Sequence, residues 1–370
     1  MLDLSRQLPG PFCSALLADL GAEVLVVSNP SDPLGVGIPF LARNKRSMTL
    51  NLKAPAGRDI LRRLARATDI LLEGYRPGVP QRLGIDYETL RADNPGLIYC
   101  SISGYGQDGP YRDRVGHDIN YTGYAGVLNF VGEAGGPPVI PGVQIADIAG
   151  GGLMAAVGIL AAVIARHHTA RGQFVDISML DGTVSCNAYH ILMYLLSGRL
   201  PQRGGEQLTG RYPCYAVYET RDRRHVTVGA FEPHFWATLC RHLGREDFIE
   251  PQWDEGAKRD EMFAFFRSAF RQKTLAEWLQ ELEDKDICFG PVSTLDETFA
   301  DPQLRHRKLI VEMETPTGRS VVIGTPIKLS DTPASLRTPP PTFGQHTDEV
   351  LGALGFAAAQ IATLRAEGVV

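Results

Sequence analysis

Hydrophobic and polar positions along this chain alternate between short apolar runs and longer amphipathic stretches. Leu2–Leu4, Glu23–Val27, Ser47–Leu52, Asp69–Leu72, Leu97–Ser103 and Gln173–Ile177 read as strands. Between them, Phe12–Leu20, Ala56–Ala67, Val79–Asn94 and Ile148–Ala165 have the spacing and length of helices. A strand–helix rhythm of this kind predicts an α/β fold with a parallel sheet covered by helices. Ile148–Ala165 carries no charge and is rich in Gly and Ala, at the lower edge of membrane-spanning length. It stands alone in the chain, between Asp147 and Arg166-His167-His168. It is therefore expected to be a helix buried inside a globular domain, with no membrane partner.

The pattern changes after residue 200. Gln202–Glu206 reads as a linker, followed by strands at Pro213–Glu219 and His225–Ala230. Short helices then run to about Gln303, and strands return at Leu309–Glu314 and Ser320–Ile323. This predicts a smaller α+β domain. The Pro-rich run Thr338–Thr342 is a stiff connector that delivers a last helix, His346–Leu354.

Composition narrows the class. The chain is 44% hydrophobic and 21% charged, as in soluble globular proteins, and its net charge of −5 argues against a nucleic-acid partner. None of the six cysteines forms a C-x-x-C pair, which suits neither a zinc site nor a disulfide framework. With a strand starting at Leu2 and no leader pattern, a reduced, cytoplasmic setting is expected. Cys13, beside an apolar helix, is expected in the core. The first strand–helix turn, Leu8-Pro9-Gly10-Pro11, lacks the spacing of a dinucleotide loop, so no NAD is implied.

Candidate chemistry lies in Gly116-His117-Asp118-Ile119-Asn120-Tyr121 and in Asp147. An imidazole titrates near neutral pH and serves as acid or base with little tuning. A carboxylate at a helix start is held by free N–H groups and by the helix dipole. Two roles are open for Gly150–Gly152: close approach of backbone to a ligand, or tight helix packing.

Taken in order, Leu8–Phe12, Leu17–Val24, Asn44–Ser47, Glu73–Gly78, Ser103–Pro110, Gly116–Tyr121, the Asp147 segment, Gly229–Pro233, Asp301–Leu304 and Gly344–Glu349 resemble the class III CoA-transferase (CaiB/BaiF) superfamily, in its α-methylacyl-CoA racemase branch. The resemblance covers essentially the whole chain. It implies a CoA thioester substrate, no cofactor beyond the CoA of the substrate, and an intertwined, interlocked-ring homodimer with active sites shared between subunits. It also implies a Rossmann-like large domain completed by the C-terminal tail. The expected division is then 1–200 for the large domain, 201–224 for a linker, 225–325 for the small α+β domain, and 326–370 for the return to the large domain.

By this resemblance, His117 and Asp147 are the two acid/base groups and Glu232, from the partner's small domain, orients or ionises the histidine. In the transferases of the superfamily the residue matching Asp147 instead attacks the acyl-CoA carbonyl. Formyl-CoA-type transferases usually lack this histidine and carry a glycine-rich flap, and no such run follows residue 205 here. Both features favour the racemase, with CoA transfer as the alternative. The amides of Asp118 and Asp147 are candidate oxyanion donors, and Asn120 and Tyr121 candidate walls of the acyl pocket. Arg76 and Arg82 match arginines of the CoA channel. Val26–Pro30 lacks the charges relatives show near the adenosine end, which leaves Lys45 and Arg46 as candidate phosphate contacts.

Overall fold

The computed structural model describes residues 1–32, 39–315 and 318–370. Its main sheet contains β1 (Leu2–Asp3), β2 (Val24–Ser28), β3 (Lys45–Thr49), β4 (Ile70–Glu73), β5 (Ile98–Ser103) and β6 (Phe174–Ser178), in the order β3-β2-β1-β4-β5-β6. Every pairing is parallel. The strand order reverses direction between β1 and β4, and there a crevice opens outside the carboxyl ends of the strands.

The crossovers supply helices α1 (Pro9–Asp19), α2 (Pro55–Ala65), α3 (Val79–Leu83), α4 (Tyr87–Asp93), α5 (Asp118–Tyr124), α6 (Met154–Thr169) and α7 (Met179–Cys186). One face of the sheet packs Leu4, Met48, Leu71 and Tyr99 against Ile60 and Leu61 of α2 and against Leu351 and Ile361 near the C-terminus. The other packs Leu72, Cys100 and Ile102 against Cys13 and Leu17 of α1 and Ile159 of α6. Cys13 is fully buried, and all six cysteines are free thiols.

Several elements depart from the expected bounds for local reasons. Helix α1 begins at Pro9, three positions early, because a first-turn proline lacks only an N–H that would have no helical partner. The single helix expected over Val79–Asn94 is two: Gly84, at φ 64°, ends α3, and Asp86 caps α4 by accepting the Thr89 N–H. Strand β3 starts at Lys45, not Ser47. Beside it, Asn44 takes a left-handed φ of 60° and its amide secures the C-terminal return. Its Nδ2 donates to Asp19 Oδ1 and to the Ser335 carbonyl, and its Oδ1 accepts the N–H groups of Arg337 and Thr338.

The helix expected over Ile148–Ala165 begins instead as a π-helix, Ala146–Leu153, and continues as α6. Its glycines serve packing. A Cβ on Gly150 would lie 2.5 Å from the Met179 carbonyl oxygen of α7, and one on Gly152 would lie 2.9 Å from the Pro9 carbonyl oxygen of α1. Gly182 of α7 is equally close in return, with a Cβ placed 2.2 Å from the Gly150 oxygen. Backbone cannot yield as a flexible side chain can, so Gly182→Ala is expected to cost about 1–3 kcal/mol. A lowered urea midpoint checks this, and an unchanged midpoint contradicts the packing role. Helix α6 is only half buried: Ala155, Ala156, Ile159 and Ala162 face the protein, whereas Val157 and Ile164 are 61% and 62% exposed. Ala146–Thr169 is long and apolar enough to cross a membrane, yet its inner face packs on the sheet.

The chain divides into two compact units, one of Met1–Val127, Pro141–Tyr189 and Pro302–Val370, the other of Leu128–Ile140 and His190–Asp301. The second unit holds the antiparallel sheet β7 (Tyr215–Glu219), β8 (His225–Gly229) and β9 (Phe289–Pro291). Its core is aromatic, built on Trp236, Phe248, Phe266, Phe270 and Trp278. Both indole N–H groups are satisfied, Trp236 donating to the Phe248 carbonyl and Trp278 to that of Phe270. The expected boundaries shift accordingly. β7, placed within the 201–224 linker, is part of a sheet because it pairs with β8. The hairpin β10 (Ile310–Thr315) and β11 (Gly318–Ile323), expected in the small domain, groups with the first unit.

Candidate active site

His117 is the residue before α5, in extended backbone with φ −129° and ψ 176°. Its N–H donates to Asn120 Oδ1 at 3.0 Å and its carbonyl accepts the Asn120 N–H at 2.8 Å. Asn120 therefore caps the helix that presents the histidine. The preceding loop is held by Tyr121, whose O–H donates to the Gly116 carbonyl at 2.6 Å. The Tyr121 ring meets Tyr105 edge-on at 5.1 Å, and Tyr105 in turn meets Tyr111 and Tyr124. Tyr121 is 5% exposed, so it supports the loop from within, while His117 itself is exposed.

Asp147 is the second residue of the π-helix, a form that recurs at functional sites. It is half-buried, and burial, then the nearby charge of Asp118, pushes its carboxyl up to about 6, against the opposing pull of His117. The structure thus brings His117, Asp118 and Asp147 into one electrostatic cluster. Tyr121 belongs to it: burial and Tyr105 push its phenol up to about 12, with Asp147 adding to the rise and Arg76 opposing it.

One expectation is overturned here. The Asp147 N–H is no ready oxyanion donor, because Asp118 Oδ1 accepts it at 3.0 Å together with the Ala146 N–H at 2.6 Å. The Asp118 N–H, at the first position of α5, has no acceptor within its helix and keeps that candidacy.

At the crevice between β1 and β4 lies a cleft of about 280 Å³, lined by Arg6, Asn29, Lys53, Tyr75 and Arg82 among others. Arg82 is one of the two arginines that the resemblance assigns to the CoA channel. Arg6, which pairs with Asp32 at 3.2 Å, and Lys53 are additions, with no local motif in the sequence to flag them. The turn that carries Tyr75 and Arg76 is braced by Glu73, which accepts the Tyr75 N–H at 2.6 Å and whose carboxyl burial raises to about 7. This one turn links the cleft, through Tyr75, to the His117–Asp147 cluster, through Arg76 and Tyr121.

Lys45 does not fit the phosphate role expected of it. The Lys45 side chain is 1% exposed; its Nζ donates to Ser14 Oγ at 2.7 Å and to the Pro11 carbonyl at 3.0 Å, and lies 3.7 Å from Asp3. Arg46 pairs at the surface with Glu349 at 2.9 Å. Glu232 is in the second unit, exposed, as the cap residue of the helix Pro233–His242.

The profile of CoA-transferase family III matches residues 1–347. The chain belongs to this family. It is similar to the human α-methylacyl-CoA racemase, 37% identical over all of this chain and 96% of that protein. It is also similar to the human succinyl-CoA:glutarate CoA-transferase, at 34% identity over 95% of this chain and 84% of that one. Among solved structures, a CAIB/BAIF family protein from Brucella suis superposes with a TM-score of 0.83 at 30% identity, covering 95% of this chain and 97% of that one. The family is one of enzymes, and these relatives represent both racemisation and CoA transfer. The parallel six-stranded sheet agrees with the α/β architecture expected from the sequence.

Proposed function

We propose that this family III member is a racemase or epimerase of 2-methylacyl-CoA thioesters, working by 1,1-proton transfer between His117 and Asp147. The observation that carries the reading is the shared electrostatic environment of these two residues, with Asp147 raised to about 6. A carboxyl in that range populates both protonation states near neutral pH, as a reversible proton exchanger must.

The chemistry follows from the acidity of the α-hydrogen. One group removes it as a proton, and the electron pair of the C–H bond delocalises onto the thioester oxygen. The other group delivers a proton to the opposite face, and their roles exchange with the enantiomer. The Asp118 N–H, at a helix start, is the proposed oxyanion donor, aided by the dipole of α5. No cofactor beyond the CoA of the substrate enters this scheme. The proposed enzyme is cytoplasmic, and an intertwined homodimer in which the partner subunit's Glu232 orients His117. The outward apolar stripe of α6 at Val157, Leu160 and Ile164 supports an association surface.

The cleft at the switch point is proposed to hold the nucleotide end of CoA. Arg82→Ala is then expected to raise KM for an acyl-CoA about tenfold, with kcat within about threefold. An unchanged KM would remove Arg82 from the binding site.

CoA transfer is the second reading, favoured by the 34% identical succinyl-CoA:glutarate relative. It makes Asp147 a nucleophile that forms an acyl anhydride and releases CoA thiolate. Hydroxylamine trapping with an acyl-CoA decides between them: labelling of Asp147 supports transfer, whereas α-deuteration in heavy water without labelling supports racemisation.

A further inference from the structure

Asp118 connects two elements that the chain itself keeps far apart. It is the first residue of α5, and its Oδ1 bridges the N–H groups of Ala146, at 2.6 Å, and Asp147, at 3.0 Å. These two residues open the π-helix, and their amides have no acceptor within it. Asp118 is also bonded directly to His117. One side chain therefore ties the backbone of one acid/base residue to the chain neighbour of the other.

We propose that Asp118 is a positioning residue of the proton-transfer site, fixing the entry of the π-helix and with it the Asp147 carboxylate relative to His117. This rests on the acid/base reading above. Proton transfer tolerates little misplacement: an error of about 1 Å costs on the order of 10²-fold in rate. Asp118 occupies a place where a carboxylate is held by two amide donors and favoured by a helix N-terminus.

A second consequence is electrostatic. A negative charge beside Asp147 favours its protonated form. Of the charges that act on Asp147, Asp118 raises its pKa and His117 opposes the rise. From α5, Tyr121 is acted on by Asp147 and by Arg76, while Tyr124 accepts from Arg114. Helix α1 offers Asp19, engaged by Arg43 and Asn44, and Cys13, which interacts with Asp3 and Lys45. Asp181 of α7 and Asp176 of β6 act on each other, and the basic residues of α6, Arg166, His167 and His168, are in its last turn.

Asp118→Asn and Asp118→Ala separate the two effects. Asparagine keeps an oxygen acceptor for the amides and loses the charge; alanine loses both. The alanine variant is expected to lose about 10²-fold in kcat for α-hydrogen exchange with KM within about threefold, and asparagine to recover most of the loss. Carboxyl ¹³C NMR, which needs no turnover, should show Asp147 titrating at lower pH in the asparagine variant than in the wild-type protein. Full kcat in the alanine variant, or an Asp147 titration unmoved in the asparagine variant, would overturn the role. If alanine prevents folding, the asparagine titration decides. An absence of exchange in the wild-type protein would instead overturn the proposed reaction, and the NMR titration would still decide the place of Asp118.

Discussion

His117→Ala is expected to slow racemisation of a 2-methylacyl-CoA by about 10²–10⁴-fold, the range that a positioned acid/base group contributes. The loss should be asymmetric. Asp147 remains able to remove and return the α-hydrogen on its own face, so one enantiomer should keep exchanging with solvent without inverting. The other enantiomer should be inert. Following deuterium uptake separately from each pure enantiomer checks this. The histidine is exposed at the start of α5, with its backbone held by Asn120 and the loop before it held by Tyr121. Removing the imidazole therefore leaves the scaffold in place, and an unaltered circular-dichroism melt should accompany the lost activity. Equal, undiminished inversion of both enantiomers would remove His117 from the mechanism.

Lys45→Met is expected to act on stability. Asp3, 1% exposed, accepts from the hydroxyls of Ser5 and Ser14 and lies 3.7 Å from the Lys45 ammonium. Removing one member of such a buried pair strands the other charge, at about 3–5 kcal/mol. The melting temperature should fall by many degrees, while KM for acyl-CoA in the folded fraction changes little, because Lys45 turns away from solvent. A stable variant with a large rise in KM would restore the phosphate role that the sequence suggests. The double replacement of Asp3 and Lys45 by apolar residues of similar volume should recover most of the loss.

The contrast between these residues explains what a sequence of this kind reveals. The apolar runs of β2, β4 and β5 were legible because a strand buried on both faces needs little else. Lys45 opens β3 with a charge, and the tertiary placement of Asp3, Ser14 and the Pro11 carbonyl makes burial tolerable. Gly150–Gly152 left packing and ligand approach open, since a missing Cβ serves either; the carbonyls of Met179 and Pro9 decide for packing. His117 and Asp147 stand out as candidates through their motif and helix context, and the structure places them in one electrostatic cluster. The Asp118 clamp was not, because a carboxylate reaching amides far along the chain leaves no periodic or spaced signal. Arg6 and Lys53 were missed for the same reason: each is one unremarkable cation until the switch point of the sheet gathers them into a cleft.

The most direct measurement uses one pure enantiomer of a 2-methylacyl-CoA in deuterated water, with the α-carbon followed by NMR and the products resolved chirally. Proton transfer between His117 and Asp147 predicts deuterium at the α-carbon and convergence on both enantiomers from either starting form. Retention of the α-hydrogen and of configuration across a panel of branched, bile-acid-like and aryl-propionyl thioesters would contradict it.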